Sequence, residues 1–161
     1  MFFQNCGPQP EFANTSKVHQ TTAAFIEGKY DIFMFAEHSL YPPKLSSGST
    51  WHDRMRTGPK HTYSVTSYNR REPRTSLWNK KGGCAITVTS PFRSRKTSEG
   101  VDKQGLGRWC WIRFYRKGTG HTRIVSAYRP CKSKKTEGTA WRQHQRYFRE
   151  KGIKGDPRDL F

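Results

Sequence analysis

Acidic residues are scarce in this sequence, which has 12 Asp and Glu against 30 Lys and Arg and a net charge of +18. Long apolar runs are also missing, and none approaches the roughly 18 residues needed to span a bilayer. The four cysteines form no C-x-x-C pair and the histidines form no H-x3-H pair, which disfavours a zinc site. The sequence therefore excludes a membrane span and gives little support for a structural metal.

The cysteines are expected to be reduced. Cys84 and Cys110 lie in strand-like apolar stretches, where a thiol behaves as a small hydrophobic group, and a catalytic thiol is the weaker alternative. The N-terminal stretch MFFQNCGPQP lacks the charged region and the continuous apolar region of a signal peptide. An intracellular location is expected, with nucleus and cytoplasm left open.

The excess of positive charge makes nucleic acid the first partner to expect, because a field of this strength concentrates polyanions. A solvated basic surface without a target and a ribosomal-type protein are the alternatives, and a membrane surface ranks third. At 161 residues the chain fits one domain, residues 1–161. Its aromatic share of 14% provides the side chains for a modest core.

The beginning of the chain predicts a β-α-β unit. Residues 2–5 are expected to form a short strand, and residues 12–27 carry apolar side chains at helical spacing before Gly28. Residues 31–36 are apolar on both alternating faces, as in a strand that is covered on both sides. A parallel pairing of the two strands follows from this order.

The rest of the chain predicts short strands and one helix. Strands are expected at 61–68, 83–89, 107–116 and 121–129, and the Gly118-Thr119-Gly120 turn joins the last two as a hairpin. Residues 38–60 and 69–82 are expected to be loops. The segment 139–150 predicts a helix with an apolar face and a basic face. Two interpretations of its arginines stay open: they contact phosphate, or they form an ordinary solvated face.

Three polar residues at predicted strand ends are candidates for chemistry. Glu37 follows an apolar strand, where a carboxylate needs a partner, so it is either a salt-bridged structural residue or a ligand of a divalent cation. Asn5 emerges beside Glu37 if the two strands are parallel, although Asn before Gly and Pro is often only a turn former. Tyr128 shares a strand face with Ile124. Two interpretations stay open: Tyr128 and Arg129 bind a phosphate together, or the Tyr128 ring only packs on the core.

The order of these segments resembles the endonuclease/exonuclease/phosphatase family of DNase I-like and abasic-site endonuclease-like enzymes. Asn5 in the first strand is followed by the segments DIFMFAEHS, GGCAITV, GRWCWIRF, TRIVSAYRPC and DPRDLF. Each motif is loose by itself, and the resemblance rests on their order and spacing over nearly the whole chain.

The resemblance implies an α/β fold, a four-layer α/β/β/α sandwich of the DNase I type, and hydrolysis of a phosphodiester assisted by Mg²⁺ or Mn²⁺. Glu37 matches the metal ligand, Asn5 the residue that orients the phosphate or its water, and Tyr128 the active-site tyrosine. The family's Asp-x-Asn motif and its final Asp-His pair have no counterpart in this sequence. The resemblance therefore covers roughly the first half of the sandwich, and we expect a truncated, C-terminally incomplete domain with weak or no activity by itself.

Nucleic acid, DNA ahead of RNA, is the expected substrate, and a parent protein with a downstream reverse transcriptase or other domain is a further expectation. Basic loops and the last helix are expected to follow the phosphate backbone. The predicted contacts are Arg70, Arg71, Arg93, Arg95, Lys96, Arg129, Lys132, Lys134, Lys135, Arg142 and Arg146. The alternative is a non-catalytic, basic nucleic-acid-binding protein, and the family's lipid or sugar phosphatases are less compatible with a charge of +18.

Overall fold

The computed structural model of the chain describes residues 1–5, 23, 27, 30–38, 62–70, 82–90, 92–118, 120–130 and 140–154, with only the backbone at 2–5, 140, 141 and 143. Within these residues, seven strands form two sheets and an α-helix follows them. The strands are β1 (Phe2–Asn5), β2 (Ile32–Ala36), β3 (Thr62–Ser67), β4 (Cys84–Thr89), β5 (Lys96–Val101), β6 (Trp109–Arg116) and β7 (Gly120–Ala127). The helix α1 is Ala140–Glu150.

The first sheet has the strand order β1-β2-β4-β3. β1 pairs in parallel with β2, and the other neighbours are antiparallel. The predicted parallel pairing is thereby confirmed. Ala23 and Glu27 of the predicted crossover helix are helical, and the rest of that segment lies outside the described residues.

The central strands of this sheet, β2 and β4, are buried on both faces, as the apolar pattern of β2 predicts. Met34 and Ile86 face the core between the sheets. Phe33 and Phe35 point to the opposite face and are also buried. Burial of each large side chain contributes about 1.5–3 kcal/mol to stability.

The second sheet, β5-β6-β7, is antiparallel. The predicted hairpin is confirmed, since Arg116 pairs with Gly120. Gly118 and Gly120 both have positive φ, which explains the glycines on each side of this tight connection.

The two sheets pack face to face around one apolar core. From the first sheet the core includes Ile32, Met34, Ala36, Val65, Cys84, Ile86 and Val88, and from the second Cys110, Ile112, Phe114 and Tyr128. The Ser126 hydroxyl donates a 2.9 Å hydrogen bond to the Phe35 carbonyl and so joins β7 to β2. The fold class is therefore mixed α/β, and the two sheets correspond to the inner layers that the sequence resemblance implies.

The two described cysteines are buried and free of disulfides, as expected. The Cys84 thiol donates to the Arg108 carbonyl at 3.3 Å, and the Cys110 thiol to the Val65 carbonyl at 3.8 Å. Burial raises the pKa of both thiols well above the usual range, so they are protonated and unreactive. Cys6 and Cys131 lie outside the described residues.

The α1 helix is amphipathic, as predicted. His144 and Phe148 are buried, whereas Arg142, Arg146 and Arg149 are exposed. No helix among the described residues combines the length and apolar character that a bilayer crossing requires.

The prediction of a basic loop at Arg93, Arg95 and Lys96 is wrong at Lys96. Arg93–Arg95 form a 3-10 turn, and Lys96 begins β5. This strand could not be recognised from the segment KTSEGV, because the segment has no alternating apolar and polar residues. β5 forms by pairing with β6, and its register shifts between Lys96 and Ser98.

The loop between β5 and β6 is organised by a buried ion pair. Asp102 and Arg108 are almost completely buried, and the Arg108 Nε lies 3.2 Å from an Asp102 carboxylate oxygen. The same carboxylate accepts backbone N–H bonds from Gln104 and Arg108. The Arg108 guanidinium also donates to the Gln104 side chain and lies over the ring of Phe148.

We expect Asp102→Asn to lower the free energy of unfolding by about 3–5 kcal/mol, because it leaves the buried Arg108 charge without a counter-charge. Lys103→Gln, at the exposed neighbouring position, is the control and should change stability little. The double variant Asp102→Asn/Arg108→Met should recover much of the loss. Urea unfolding measures all three, and an Asp102→Asn protein as stable as the control would contradict the assignment.

Candidate active site

One end of the first sheet collects the predicted strand-end residues. The strand registers align Asn5 of β1 with Ala36 of β2, Ala36 with Cys84 of β4, and Cys84 with Ser67 of β3. Glu37 comes directly after this row. Asn5 and Glu37 therefore emerge at the same end of neighbouring parallel strands, as the sequence predicted for their backbones.

Glu37 and Tyr128 meet at this end of the sheet. The Tyr128 hydroxyl donates a 3.0 Å hydrogen bond to the Glu37 carboxylate, although the two residues are 91 positions apart in the chain. Tyr128 follows the last residue of β7, so the contact joins the second sheet to the first. The structure thus brings together two candidates that the sequence identified separately.

The ring of Tyr128 is fixed by burial and by the backbone. Its exposed fraction is 8%, and it belongs to the core cluster. Its backbone N–H donates to the Arg108 carbonyl at 2.6 Å. The two interpretations of Tyr128 are therefore compatible, since the ring packs on the core while the hydroxyl reaches a strand-end carboxylate.

The backbone at Glu37 adopts an uncommon conformation. Glu37 has φ 60°, and it is the non-glycine residue with positive φ among the described parts of the chain. Such conformations cost about 1–3 kcal/mol and persist where the surroundings impose them, often at functional sites. Here the turn redirects the chain out of β2 and leaves the partly buried carboxylate beside Tyr128.

His38 and Gly83 pack against each other next to Glu37. His38 is buried, and desolvation lowers its pKa to about 4, so its ring is neutral at pH 7. Its backbone N–H donates to the Gly83 carbonyl, and its ring meets the edge of Tyr68. Gly83 has φ +96°, and a Cβ atom there would lie 2.4 Å from the His38 ring.

The residues present fit part of a hard-cation site. Mg²⁺ commonly binds through one or two carboxylates while it keeps several waters. Glu37 supplies a carboxylate, and Asn5 would supply an amide oxygen from the adjacent strand end, although its side chain is not described. Within the described residues, no cluster of three or more His, Cys, Asp and Glu could hold a metal. A complete set of protein ligands is therefore not present among them.

A polar cavity of about 390 Å³ lies at the end of β3, in the same row of strand ends. Its lining includes Ser67, the exposed Arg70 and Lys103, and the buried Asp102. The Arg70 backbone N–H donates to the Gly105 carbonyl at 2.7 Å, which fixes the position of Arg70 relative to the β5–β6 loop. Lys103 was not a sequence candidate.

The predicted phosphate contacts differ in their surroundings. Those that are exposed are Arg70, Arg93, Arg95, Arg129, Arg142 and Arg146. Lys96 instead forms a 3.0 Å ion pair with Glu99 and lies over the ring of Tyr63, whose hydroxyl also donates to Glu99. Arg71, Lys132, Lys134 and Lys135 lie outside the described residues.

Sequence reasoning missed the residues that support the site. The buried ring of His38, the close approach at Gly83 and the Asp102–Arg108 pair had no motif of their own. The Gly82-Gly83 dipeptide before β4 was the available signal, because consecutive glycines often mark positive φ.

The structure is similar to the solved catalytic domain of Xenopus laevis APE2, with a TM-score of 0.53 and 12% sequence identity. The similarity covers 92% of this chain and 50% of that one, so the chain spans about half the length of its neighbour. At this identity the similarity shows the fold alone, which is a DNase I-like nuclease fold. No family profile and no curated protein matches the sequence.

Gly83→Ala should destabilise the protein much more than Gly118→Ala. Both positions have positive φ, but a Cβ at Gly118 meets nothing within 4 Å, whereas at Gly83 it collides with His38. We expect a loss of about 1 kcal/mol at Gly118 and about 3 kcal/mol or more at Gly83. Urea unfolding measures both, and equal losses would show that the His38 contact costs nothing.

Proposed function

We propose that this chain contributes part of an endonuclease-type site for metal-dependent hydrolysis of phosphodiesters in nucleic acid. The observation that carries the proposal is the Tyr128–Glu37 hydrogen bond at the end of a DNase I-like sheet. The net charge of +18 is compatible with a polyanionic substrate. The later family motifs are missing from the sequence, so we expect the chain by itself to bind nucleic acid better than it cleaves it.

Glu37 is the proposed metal ligand. Its carboxylate is oriented by the Tyr128 hydroxyl and by a constrained backbone, which reduces the reorganisation needed when a cation binds. Asn5, at the neighbouring strand end, would complete this half of the site. When bound, Mg²⁺ or Mn²⁺ supplies a Lewis acid that polarises the phosphoryl oxygen.

Tyr128 is proposed to hold the scissile phosphate. In this structure its single O–H donor is bonded to Glu37, and it would turn to a phosphate oxygen once a cation binds the carboxylate. The ring is fixed in the core and keeps the hydroxyl in place, and pre-positioned donors stabilise charge that develops on phosphate oxygens. Arg129 follows it and is exposed, which allows a guanidinium to reach the next phosphate. Arg70 and Lys103, at the cavity beside the same row of strand ends, extend the cationic surface.

A non-catalytic nucleic-acid-binding protein is the second candidate. Two observations favour it: the sequence contains no Asp-x-Asn motif, and no three metal-ligating side chains cluster in the described parts of the chain. Both functions require DNA binding through the phosphate backbone, with DNA expected ahead of RNA. They differ in the outcome of one substitution at Glu37.

Glu37→Gln should lower metal-dependent nicking of supercoiled plasmid by at least about 100-fold while duplex affinity is kept. Glu150→Gln, an exposed site in α1 with the same change of charge, is the matched control and should nick like the parent chain. Chelation of the metal should abolish nicking in both. If the parent chain does not nick with Mg²⁺ or Mn²⁺, the binding function is favoured instead.

Tyr128→Phe tests the hydroxyl while it keeps the buried ring. Removal of a donor at the phosphate should lower nicking by about tenfold or more, with a small change in stability. Plasmid nicking and urea unfolding measured on the same preparation separate these effects. Unchanged nicking would remove Tyr128 from the proposed site.

Duplex binding should weaken steeply with salt. For six or more phosphate contacts, the affinity falls by about 1,000-fold between about 50 and 200 mM salt, because bound cations of the DNA are released. Fluorescence anisotropy with a labelled duplex in the absence of metal measures this slope. A flat response would contradict a phosphate-tracking role for the exposed arginines.

A further inference from the structure

The outer face of the second sheet carries alternating aromatic and cationic side chains. Along β6, Trp111, Arg113 and Tyr115 share the face opposite the buried residues Ile112 and Phe114. Their partners on β7 are Val125, Arg123 and His121, in that order. We call these six residues the β6–β7 face.

This face is open to solvent. The exposed fraction of Tyr115 is 53% and that of Val125 is 39%, and His121 and Arg123 are also exposed. Trp111 and Arg113 are partly exposed.

The aromatic rings are held in place by their neighbours. The Trp111 indole lies against Gly100 of β5, where a Cβ atom would come within 2.6 Å of the ring. The Arg123 guanidinium lies over the same indole, 4.4 Å from the ring centroid. The Tyr115 ring is met edge-on by His121 at 6.0 Å. Rigid rings lose little entropy when a further planar group stacks on them.

The charges on this face are of one sign. Arg113 and Arg123 are directly opposite on the two strands, an arrangement that is destabilising between like charges. Within the described residues, the acidic groups of β5 and of the loop after it have other partners, since Glu99 pairs with Lys96 and Tyr63, and Asp102 is buried with Arg108. A phosphate bound at Arg113 would reduce this repulsion.

We propose that the β6–β7 face binds single-stranded nucleic acid. Bases stack on Tyr115 and on the guanidinium of Arg123, which rests on Trp111, and Arg113 between them contacts phosphate. Tyr115 and Trp111 lie about 14 Å apart along β6, which leaves room for Arg113 between two stacked bases. A duplex does not fit this chemistry, because its bases are already stacked on each other.

This site is separate from the proposed hydrolytic site. Tyr128 continues the inward-facing series of β7, with Ile124 and Ser126, whereas Arg123 and Val125 face outward. A strand on the β6–β7 face is therefore a different stretch of nucleic acid from one at Glu37. The proposal does not depend on hydrolysis and is tested in the absence of metal.

Tyr115→Ala should weaken binding of a labelled oligothymidylate of about 12 nucleotides by about fivefold or more, and Tyr115→Phe should bind within about twofold of the parent chain. Both changes are at an exposed position, so folding should be kept, and circular dichroism checks it. Affinity for duplex DNA should stay within about twofold in both variants. An oligouridylate of the same length tells whether DNA or RNA is the preferred single strand.

The double variant Arg113→Gln/Arg123→Gln should weaken single-strand binding by about tenfold or more. Arg149→Gln/Lys151→Gln removes the same charge from exposed positions at the end of α1, and its loss should be at least about threefold smaller. Equal losses in the two double variants, or a Tyr115→Ala protein that binds single strands normally, would overturn the proposal. Sedimentation of the Tyr115→Ala protein gives a second check. If the substitution weakens binding only because it dissociates a dimer, the proposal is also overturned. Binding is measured without metal, so the outcome of this test is independent of the test of hydrolysis.

Discussion

The described part of the site depends on the buried ion pair between Asp102 and Arg108. This pair closes the β5–β6 loop into a fixed shape, and the loop then presents its carbonyl groups to other strands. The Arg108 carbonyl accepts from the backbone of Tyr128, the Gly107 carbonyl from Gly83, and the Gly105 carbonyl from Arg70. A short loop thereby positions the end of β7, the start of β4 and the residues after β3. The charges are costly to bury and are stabilised by each other and by hydrogen bonds, so the loop has one arrangement.

This arrangement explains why polar residues gather where the sheets are otherwise apolar. Glu37 leaves β2, a strand buried on both faces, through a left-handed turn, and it meets a hydroxyl from the second sheet. Binding and catalytic groups are most accurately held by rigid elements, and both groups here directly follow a strand. The net charge of +18 is compatible with the phosphate-binding role proposed for this end of the sheets.

Much of the fold could be predicted from the sequence because its strongest strands bury their side chains. The apolar run of β2 and the alternation of β6 and β7 are local patterns, and Tyr128 could be assigned to the inward face from them. β5 could not be predicted, since it is an edge strand that forms by pairing with β6. The contact between Tyr128 and Glu37 was also beyond local reasoning, because it depends on tertiary packing.

The hydrogen bond between Tyr128 and Glu37 has a consequence for the order of folding. Its partners are 91 residues apart and belong to different sheets, so it forms only after the hairpin has docked on the first sheet. Loop closure over such a distance is slow, and contacts of this kind are made late. A partly folded chain would expose its cationic surface before the carboxylate and the phenol meet. Attraction to a polyanion would then precede the assembly of any catalytic geometry during biosynthesis.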